Sequence, residues 1–288
     1  MARRDDHSTP GTGGRSTPGG ISWPELKAAV QVHTSFRRLA AGDLAHFLEH
    51  ALNPEIAFDA ETLDGTAPAS FARVAGAIRE AGLRVSFHGP FVDLSAGSSD
   101  PAVRAVAARR YEQLLALVPL FRPVTVVAHA GYDWRRYGYF QPLWLEHSLR
   151  FWGEIAARLS PLGGRLVLEN VFERGPGEMA ELFARLAERD VGLCLDCGHA
   201  VAFGEEPLLN WVERLGPFVA ELHLHDNGGE RDEHLPVGRG GIDFGPTLER
   251  LFAMHPEPPL VTLEIHRRDE LWESLAGLAR FWPLARKR

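Results

Sequence analysis

Acidic and histidine side chains recur at the ends of successive apolar runs along this chain. Carboxylates and imidazoles are common ligands of divalent metal ions such as zinc and manganese. If these ends meet in the fold, the gathered charges require a cation among them. The segments are 87–89 (Phe-His-Gly), 128–131 (Ala-His-Ala-Gly), 168–170 (Leu-Glu-Asn), 195–199 (Leu-Asp-Cys-Gly-His), 222–226 (Leu-His-Leu-His-Asp), 232–234 (Asp-Glu-His) and 263–266 (Leu-Glu-Ile-His).

Eight short apolar runs predict the strands that position these residues. Most are rich in Val, Ile, Leu or Phe, which is typical of parallel strands that are buried on both faces. The predicted strands span residues 28–33, 55–59, 84–88, 124–129, 165–169, 192–196, 220–225 and 260–265.

Segments of helical period separate the strands. The clearest begins at Asp100-Pro101, an N-cap followed by proline in the first turn, and further helices are predicted over 69–80, 143–159 and 176–188. Gly82 and Gly163 supply left-handed helix stops. Eightfold alternation of strand and helix predicts an α/β fold, a single (β/α)8 TIM barrel, in which every strand tip points to one face.

Glu169 and Glu264 are the central pair of predicted site residues. Each follows an apolar strand, so each carboxylate enters a desolvated barrel mouth, where an unpaired charge costs several kcal/mol or takes up a proton. Salt bridges with arginine are the structural alternative. A bound divalent cation is the favoured interpretation, because Glu169 is followed by Asn170-Val171-Phe172 with no local basic partner.

Asp196 and His199 form a short-range pair at the sixth strand tip, able to bind one metal ion or to bridge two. A helix N-cap is the structural alternative for Asp196. His223 and His225 alternate along one strand, so only one of them can face the barrel interior. The prediction takes His223 as the metal ligand and places His225 further out, at the rim.

His88, His129, Asp232 and His234 are further candidate ligands. Taken singly, the two histidines His88 and His129 have an alternative role as core or rim residues, although their shared place at strand tips favours a site. Asp232 and His234 lie in a glycine-rich loop, where a solvated loop is the alternative.

Residues in the loop over 131–142 are predicted to contact the substrate. The loop carries Trp134, Arg135 and Arg136, whose side chains suit a sugar face and a phosphate, and His225 and Asn170 are predicted to join them. The same loop could stack a flipped nucleotide, or act as a lid without direct contact.

Composition narrows the function classes. The chain has 288 residues, which fits one barrel of roughly 250 residues, and its net charge of -7 opposes binding to nucleic acid or to an anionic membrane. Lysine occurs only as Lys27, at the start of the first predicted strand, and Lys287, so Schiff-base catalysis has no candidate. Residues 1–22 are predicted to be a disordered tail, and 23–288 the barrel.

Cysteine use and hydropathy indicate the compartment. Cys194 and Cys197 are read as small residues flanking Asp196, not as a redox or zinc motif, because no second pair exists. Low cysteine use predicts a cytoplasmic protein. The sequence contains no run of 18 apolar residues, so no membrane span is predicted.

At these residues the sequence resembles the xylose isomerase-like barrel superfamily, which also includes the family 2 apurinic endonucleases. In the sugar isomerases and epimerases of that superfamily, the resemblance implies one manganese-like ion on Glu169, Asp196, His223 and Glu264, with the two glutamates moving protons. The endonuclease branch implies three zinc ions. Their ligands would be His88, His129 and Glu169 for the first, Glu169, Asp196, His223 and Glu264 for the second, and His199, Asp232 and His234 for the third.

The resemblance and the composition together predict an enzyme. The favoured activity is metal-dependent isomerisation or epimerisation of a sugar or sugar phosphate through a metal-stabilised enediolate, with Mn, Co or Mg as a single ion. The alternative is a phosphoester hydrolase with several zinc ions, and the third is a non-catalytic ligand-binding barrel. The predicted partner is a small sugar or phosphoester, without nucleic acid or membrane, and with a possible homo-oligomer.

Overall fold

Eight parallel strands close into one barrel in the order in which they occur along the chain. The computed structural model describes residue 17 and residues 20–283. The predicted α/β class and (β/α)8 architecture are confirmed. The strands are β1 Val30–Ser35, β2 Asn53–Ala57, β3 Ser86–His88, β4 Thr125–His129, β5 Arg165–Glu169, β6 Gly192–Asp196, β7 Val219–Leu224 and β8 Leu260–Leu263.

Helices surround the strands, and the predicted helix over 176–188 is a shorter α-helix, Ala180–Leu186, flanked by two 3₁₀ turns. Asp100 caps the helix that starts at Pro101, as predicted, and Gly82 and Gly163 have φ of 67° and 85°. The α-helices are α1 Trp23–Ala29, α2 Phe36–Arg38, α3 Leu44–His50, α4 Ala60–Gly65, α5 Pro68–Glu80, α6 Pro101–Leu115, α7 Val118–Phe121, α8 Trp134–Tyr137, α9 Gln141–Leu159, α10 Ala180–Leu186, α11 Cys197–Ala202, α12 Leu208–Leu215, α13 Phe244–Met254 and α14 Leu271–Phe281. A π-helical turn spans Leu39–Asp43, and 3₁₀ turns span Ser160–Leu162, Pro176–Glu178, Ala187–Arg189, Gly216–Phe218 and Arg268–Glu270.

The first strand begins two residues later than predicted, because a helix precedes it. Ser22 and Glu25 form a capping box at the start of α1, with the Ser22 hydroxyl accepting from the Glu25 amide. Lys27 therefore lies in the last turn of α1, where its Nζ donates to the His50 carbonyl at 2.8 Å. The prediction that Lys27 begins a strand is wrong, although it does lie far from the strand tips.

A polar layer fills the middle of the barrel, below the strand tips. Glu221 of β7 accepts hydrogen bonds from Gln31 Nε2 at 3.2 Å and Thr262 Oγ1 at 2.9 Å, and Gln31 also donates to Ser86. The alternate residues Leu222 and Leu224 are fully buried on the helix side. This alternation turns His223 into the barrel, as the sequence predicts.

Some predictions fall outside the part of the chain that the structure describes. The tail predicted over 1–22 consists mostly of such residues, and the domain bounds at 23 and 288 stay predictions. Between residues 20 and 283 no helix is long and apolar enough to cross a membrane.

Candidate metal centre

All nine predicted ligand residues meet at the carboxyl end of the barrel. Beside them lies a cavity of about 510 Å³. Asp196 and His223 are fully buried next to it. The predicted ligands on the cavity wall are His88, His129, Glu169, His199, Asp232, His234 and Glu264.

Glu169 turns each of its two carboxylate oxygens towards a different pair of histidines. Its Oε2 lies 3.1 Å from His88 Nε2 and 3.3 Å from His129 Nε2. Its Oε1 lies 3.2 Å from His199 Nδ1 and 3.6 Å from His223 Nδ1. Burial opposes the charged form of Glu169, but these histidines outweigh it and hold the pKa of the carboxyl well below its usual value.

Arginine does not neutralise the central glutamates. In the part of the chain that the structure describes, the ionic partners within 4.0 Å of Glu169 and Glu264 are histidines. Burial likewise opposes charge on Glu264, but His223 and His33 hold its pKa well below the usual value. The geometry therefore supports the metal interpretation over the arginine alternative.

The surroundings of His223 Nδ1 show whether these residues fit a metal ion. It lies 3.2 Å from Glu264 Oε1, 3.6 Å from Glu169 Oε1 and 3.9 Å from Asp196 Oδ2, and it makes no hydrogen bond. Three carboxylate oxygens thus approach one imidazole nitrogen, and carboxylates together with an imidazole are a donor set that suits a divalent cation. The residues fit the ion.

The carboxylates also favour protons on the neighbouring histidines. Burial opposes the charged form of His88, but its hydrogen bond to the Glu169 carboxylate and the nearby carboxylate charges outweigh burial and raise the pKa of His88 to about 9. For His129 burial prevails and lowers the pKa to about 4, so its imidazole is neutral near pH 7 and its lone pair is available. The same field that holds a proton on His88 attracts a divalent cation.

Asp196 caps a helix with one carboxylate oxygen and turns the other towards two histidines. Its Oδ1 accepts from the His199 amide at 2.6 Å and caps α11, which confirms the N-cap. Its Oδ2 lies 3.4 Å from His199 Nδ1 and 3.2 Å from His225 Nε2. Cys194 and Cys197, the small residues on either side of Asp196, are free and buried.

His225 is not at an exposed rim. β7 ends at Leu224, so His225 leaves the alternation of the strand, and its side chain is fully buried beside Asp196. The sequence argument that only one histidine of the pair can face the site is wrong, because residues two apart along a strand lie on the same face, and His225 directly follows the strand.

Two further residues of the mouth, Glu55 and His33, are absent from the predicted site. Glu55 is fully buried on β2, its Oε1 lies 2.9 Å from His33 Nδ1, and its Oε2 lies 3.2 Å from His223 Nε2. Register pairs Glu55 with His33 across β1 and β2. The available signal was a charged residue inside an apolar run, but the predicted strand began at Glu55 and placed it at the wrong end.

Replacing Glu55 by Gln is expected to weaken metal binding by about 10- to 100-fold, the usual effect of losing an outer-shell partner of a ligand histidine. The carboxylate accepts from His223 Nε2 and so keeps the lone pair on Nδ1, which faces the other carboxylates. Competition with a chromophoric chelator measures the affinity. The exposed Glu61→Gln variant is the control. Equal metal affinities in the two variants would contradict a role for Glu55 in orienting His223.

The predicted substrate contacts are mostly not on the cavity wall. Arg136 is on it, whereas Trp134 and Arg135 are not, and the Arg174 guanidinium covers the Trp134 ring at 4.7 Å. The Asn170 side chain makes two hydrogen bonds with the Asp196 backbone: its Oδ1 accepts from the amide at 2.9 Å, and its Nδ2 donates to the carbonyl at 3.0 Å. Trp134, Arg135, Asn170 and the buried His225 do not line the cavity, so the arrangement does not support substrate contact by these four residues. The aromatic wall consists instead of Phe91, Tyr132, Tyr137, Phe172 and Phe203.

Glu173, just after β5, is expected to make stability depend on pH. Burial raises its pKa to about 8, although the Val171 amide donates to it at 2.6 Å. The folded state therefore keeps a proton that the unfolded chain loses near pH 4.5, so the free energy of unfolding should fall by up to about 1.4 kcal/mol per pH unit between pH 5 and 8. Glu173→Gln should flatten this slope in urea denaturation, and exposed Glu188→Gln should not. Parallel curves for all three proteins would contradict it.

Comparison with known proteins finds related barrels for this chain. A family model described as xylose isomerase-like TIM barrel matches residues 52–281. The uncharacterized proteins MJ1311 and MJ1614 of Methanocaldococcus jannaschii are each 27% identical to this chain, over 176 and 168 residues. These alignments cover 59% and 56% of this chain, but only 60% and 63% of those two relatives.

Solved structures resemble nearly the whole barrel. The TTHB071 protein of Thermus thermophilus, from a crystal soaked with ZnCl2, is 26% identical, with a TM-score of 0.70 over 87% of this chain and 98% of its own. A D-tagatose 3-epimerase-like protein is 21% identical, with a TM-score of 0.72 over 87% and 97%. A putative xylose isomerase of Rhodospirillum rubrum is 18% identical, with a TM-score of 0.70 over 88% and 97%. The last two likenesses concern the fold alone.

Proposed function

This chain belongs to the xylose isomerase-like TIM barrel family, and from that premise we propose that it is a divalent-metal-dependent enzyme that isomerises or epimerises a small sugar or sugar phosphate. The mouth of such a barrel is where its enzymes carry out their chemistry. The proposed ligands of the ion are Glu169, Asp196, His223 and Glu264.

One observation carries the proposal: Glu169 and Glu264 both line the cavity, and both approach the same nitrogen, His223 Nδ1. Two carboxylates that approach the same imidazole nitrogen can hold an ion there. Because they also line the cavity, they can exchange protons with a sugar bound in it. The cavity of about 510 Å³ falls within the roughly 300–1,000 Å³ typical of small-molecule sites.

The proposed reaction assigns a proton to each glutamate. One of Glu169 and Glu264 accepts the proton from the carbon next to the sugar carbonyl, and the other returns a proton to the substrate. A bound divalent ion would polarise the carbonyl and an adjacent hydroxyl, which makes that carbon acid enough for a carboxylate base. The aromatic wall of the cavity gives a bound sugar apolar faces to pack against.

A second candidate function, hydrolysis of a phosphoester by a cluster of zinc ions, has its own supporting observation. Glu169 presents Oε2 to His88 and His129 while Oε1 faces His199 and His223, an arrangement suited to a carboxylate that bridges two ions. Clusters of two or three ions suit displacement at phosphorus, because they clamp the attacking and leaving oxygens. The isomerase proposal leaves His129 without a metal role.

The other proposals follow from charge and composition. A net charge of -7 supports a small substrate over nucleic acid. Two free buried cysteines agree with the cytoplasmic location predicted from the sequence. A homo-oligomer stays a prediction, and a non-catalytic barrel would have no use for the paired glutamates on the cavity wall.

Metal content combined with isotope incorporation from solvent tests these alternatives. The protein is loaded separately with manganese and zinc and incubated with ketoses, ketose phosphates and a generic phosphodiester. Isomerisation or epimerisation places solvent deuterium on a sugar carbon, whereas hydrolysis places solvent ¹⁸O on phosphate. We expect deuterium incorporation with manganese. Oxygen incorporation with two or three zinc ions per chain would favour the hydrolase, and neither isotope with any substrate would favour the binding barrel.

A further inference from the structure

The cavity at the barrel mouth is larger than a single sugar requires. Its volume is about 510 Å³, whereas a hexose displaces on the order of six waters, or roughly 180 Å³ at about 30 Å³ per water. Part of its wall consists of polar residues that the proposed reaction does not use. This outer polar group comprises Asp93 and Ser95 on the loop after β3, and Asp133, Arg136 and Tyr137 on the loop after β4.

We infer that the outer polar group binds a second sugar unit, so that the substrate is a keto sugar joined to another uncharged sugar and not a monosaccharide phosphate. This inference rests on the proposed function, because the first unit must reach Glu169 and Glu264. It goes further by choosing between the two classes of substrate that the proposed function leaves open, and by assigning a site to the part of the substrate that does not react.

Two hydroxyl groups of the outer polar group are paired and retain hydrogen-bonding capacity. Ser95 Oγ and Tyr137 Oη lie 2.7 Å apart and join the loop after β3 to the loop after β4. Their mutual hydrogen bond uses one of the two protons, so the pair keeps one O–H donor and free lone pairs for a ligand in the cavity. Sugar hydroxyls also donate and accept, and they are therefore matched to this pair.

The charges of the outer polar group favour an uncharged ligand. It contains two aspartates and one arginine, and Arg136 Nε lies 3.6 Å from Asp133 Oδ2. A phosphate would meet an excess of negative charge here, since the single guanidinium of the group already has a carboxylate beside it. Carboxylates instead accept strong hydrogen bonds from uncharged donors such as sugar hydroxyls.

Two partly exposed phenylalanine rings also line the cavity. Phe91 stacks one face on His129, with centroids 4.2 Å apart, and is still 45% exposed. Phe172 is 40% exposed, and its backbone forms a β-bridge with Asp133 of the outer polar group. The C–H face of a sugar ring is apolar, so packing it on these rings removes apolar surface from water. A second sugar unit can cover them while the first lies at Glu169 and Glu264.

Titration calorimetry with sugar alcohols tests the inference without turnover, because a reduced sugar has no carbonyl to react. The full chain is loaded with manganese and titrated with glucitol, glucitol 6-phosphate and the disaccharide alcohols maltitol, cellobiitol and lactitol. We expect at least one disaccharide alcohol to bind about 10-fold more tightly than glucitol, as two or more additional hydrogen bonds allow. Glucitol 6-phosphate should bind no more tightly than glucitol, and tighter binding of the phosphate than of every disaccharide alcohol would overturn the inference.

Matched variants locate the second sugar. Tyr137→Phe should lower the affinity for the preferred disaccharide alcohol by about 2- to 10-fold, the usual effect of losing one uncharged hydrogen bond, and leave the affinity for glucitol unaltered. Asp93→Asn should act in the same way, and asparagine suits the backbone of this position, where φ is 58°. Tyr139→Phe is the control, because Tyr139 lies in the same loop as Tyr137 but is 98% exposed and does not line the cavity.

The outcomes separate this inference from the proposed function. If glucitol binds as tightly as every disaccharide alcohol, or if Tyr137→Phe and Asp93→Asn both keep the full preference, the inference is overturned while isomerisation of a single sugar stands. A preference that depends on Tyr137, in a protein that places no deuterium on any sugar, would support the second site and contradict the proposed reaction. Binding of none of the sugar alcohols would contradict both.

Discussion

Glu264→Gln is expected to lower the turnover of any sugar substrate by on the order of 10²- to 10⁴-fold, the contribution of one positioned acid or base, with further loss if the ion is released. Glu264 lies 6% exposed just after β8, and its backbone amide donates to the Leu224 carbonyl at 3.2 Å. That bond is unaffected by the substitution, and the glutamine has nearly the same size. The fold should therefore survive while the charge opposite His223 and His33 is lost.

The measurement is steady-state kinetics together with urea denaturation. Glu257→Gln is the matched control, because Glu257 is exposed and precedes the same strand. We expect the control to retain full activity, and both variants to unfold at similar urea concentrations once a chelator has removed divalent metal from each. A Glu264→Gln enzyme with unaltered kcat and metal content would rule out the glutamate pair as the reacting groups, in the isomerase and in the hydrolase alike.

Removal of divalent metal is expected to abolish turnover and to destabilise the fold. The carboxylates of Glu55, Glu169, Asp196 and Glu264 are buried together, and in the described part of the chain their ionic partners within 4.0 Å are histidines. An ion at about 1,000 times its Kd contributes about 4 kcal/mol to the free energy of unfolding. In a chain of this size, that corresponds to a fall of about 10 °C in Tm.

Calorimetry before and after exhaustive chelation tests this effect, with manganese or zinc added back to restore both activity and Tm. Glu169→Gln is the informative partner variant, because its Tm should respond less to chelation than that of the unaltered protein. If the chelated protein melted at the same temperature and still turned over its substrate, the buried carboxylates would be balanced by histidines alone.

Strand ends show how far local sequence patterns reach. The bounds of β5 and β6 coincide with their predictions because each is a short apolar run that ends in its functional acid, Glu169 or Asp196. β2 was displaced by two residues, since a buried glutamate interrupts its apolar pattern. That shift placed Glu55 at the wrong end of its strand and removed it from the predicted site.

The amino-acid sequence by itself determined the barrel and the set of nine acids and histidines at its mouth. Apolar periodicity reports which segments are buried, and parallel strands bring all their tips to one face. Only the tertiary structure decided which atom faces which: the two oxygens of Glu169 towards different histidines, Glu55 behind His223, and His225 beside Asp232. Those approaches depend on barrel closure, on the register between strands distant in the chain, and on the loop conformation after Leu224, none of which leaves a periodic signal in the sequence.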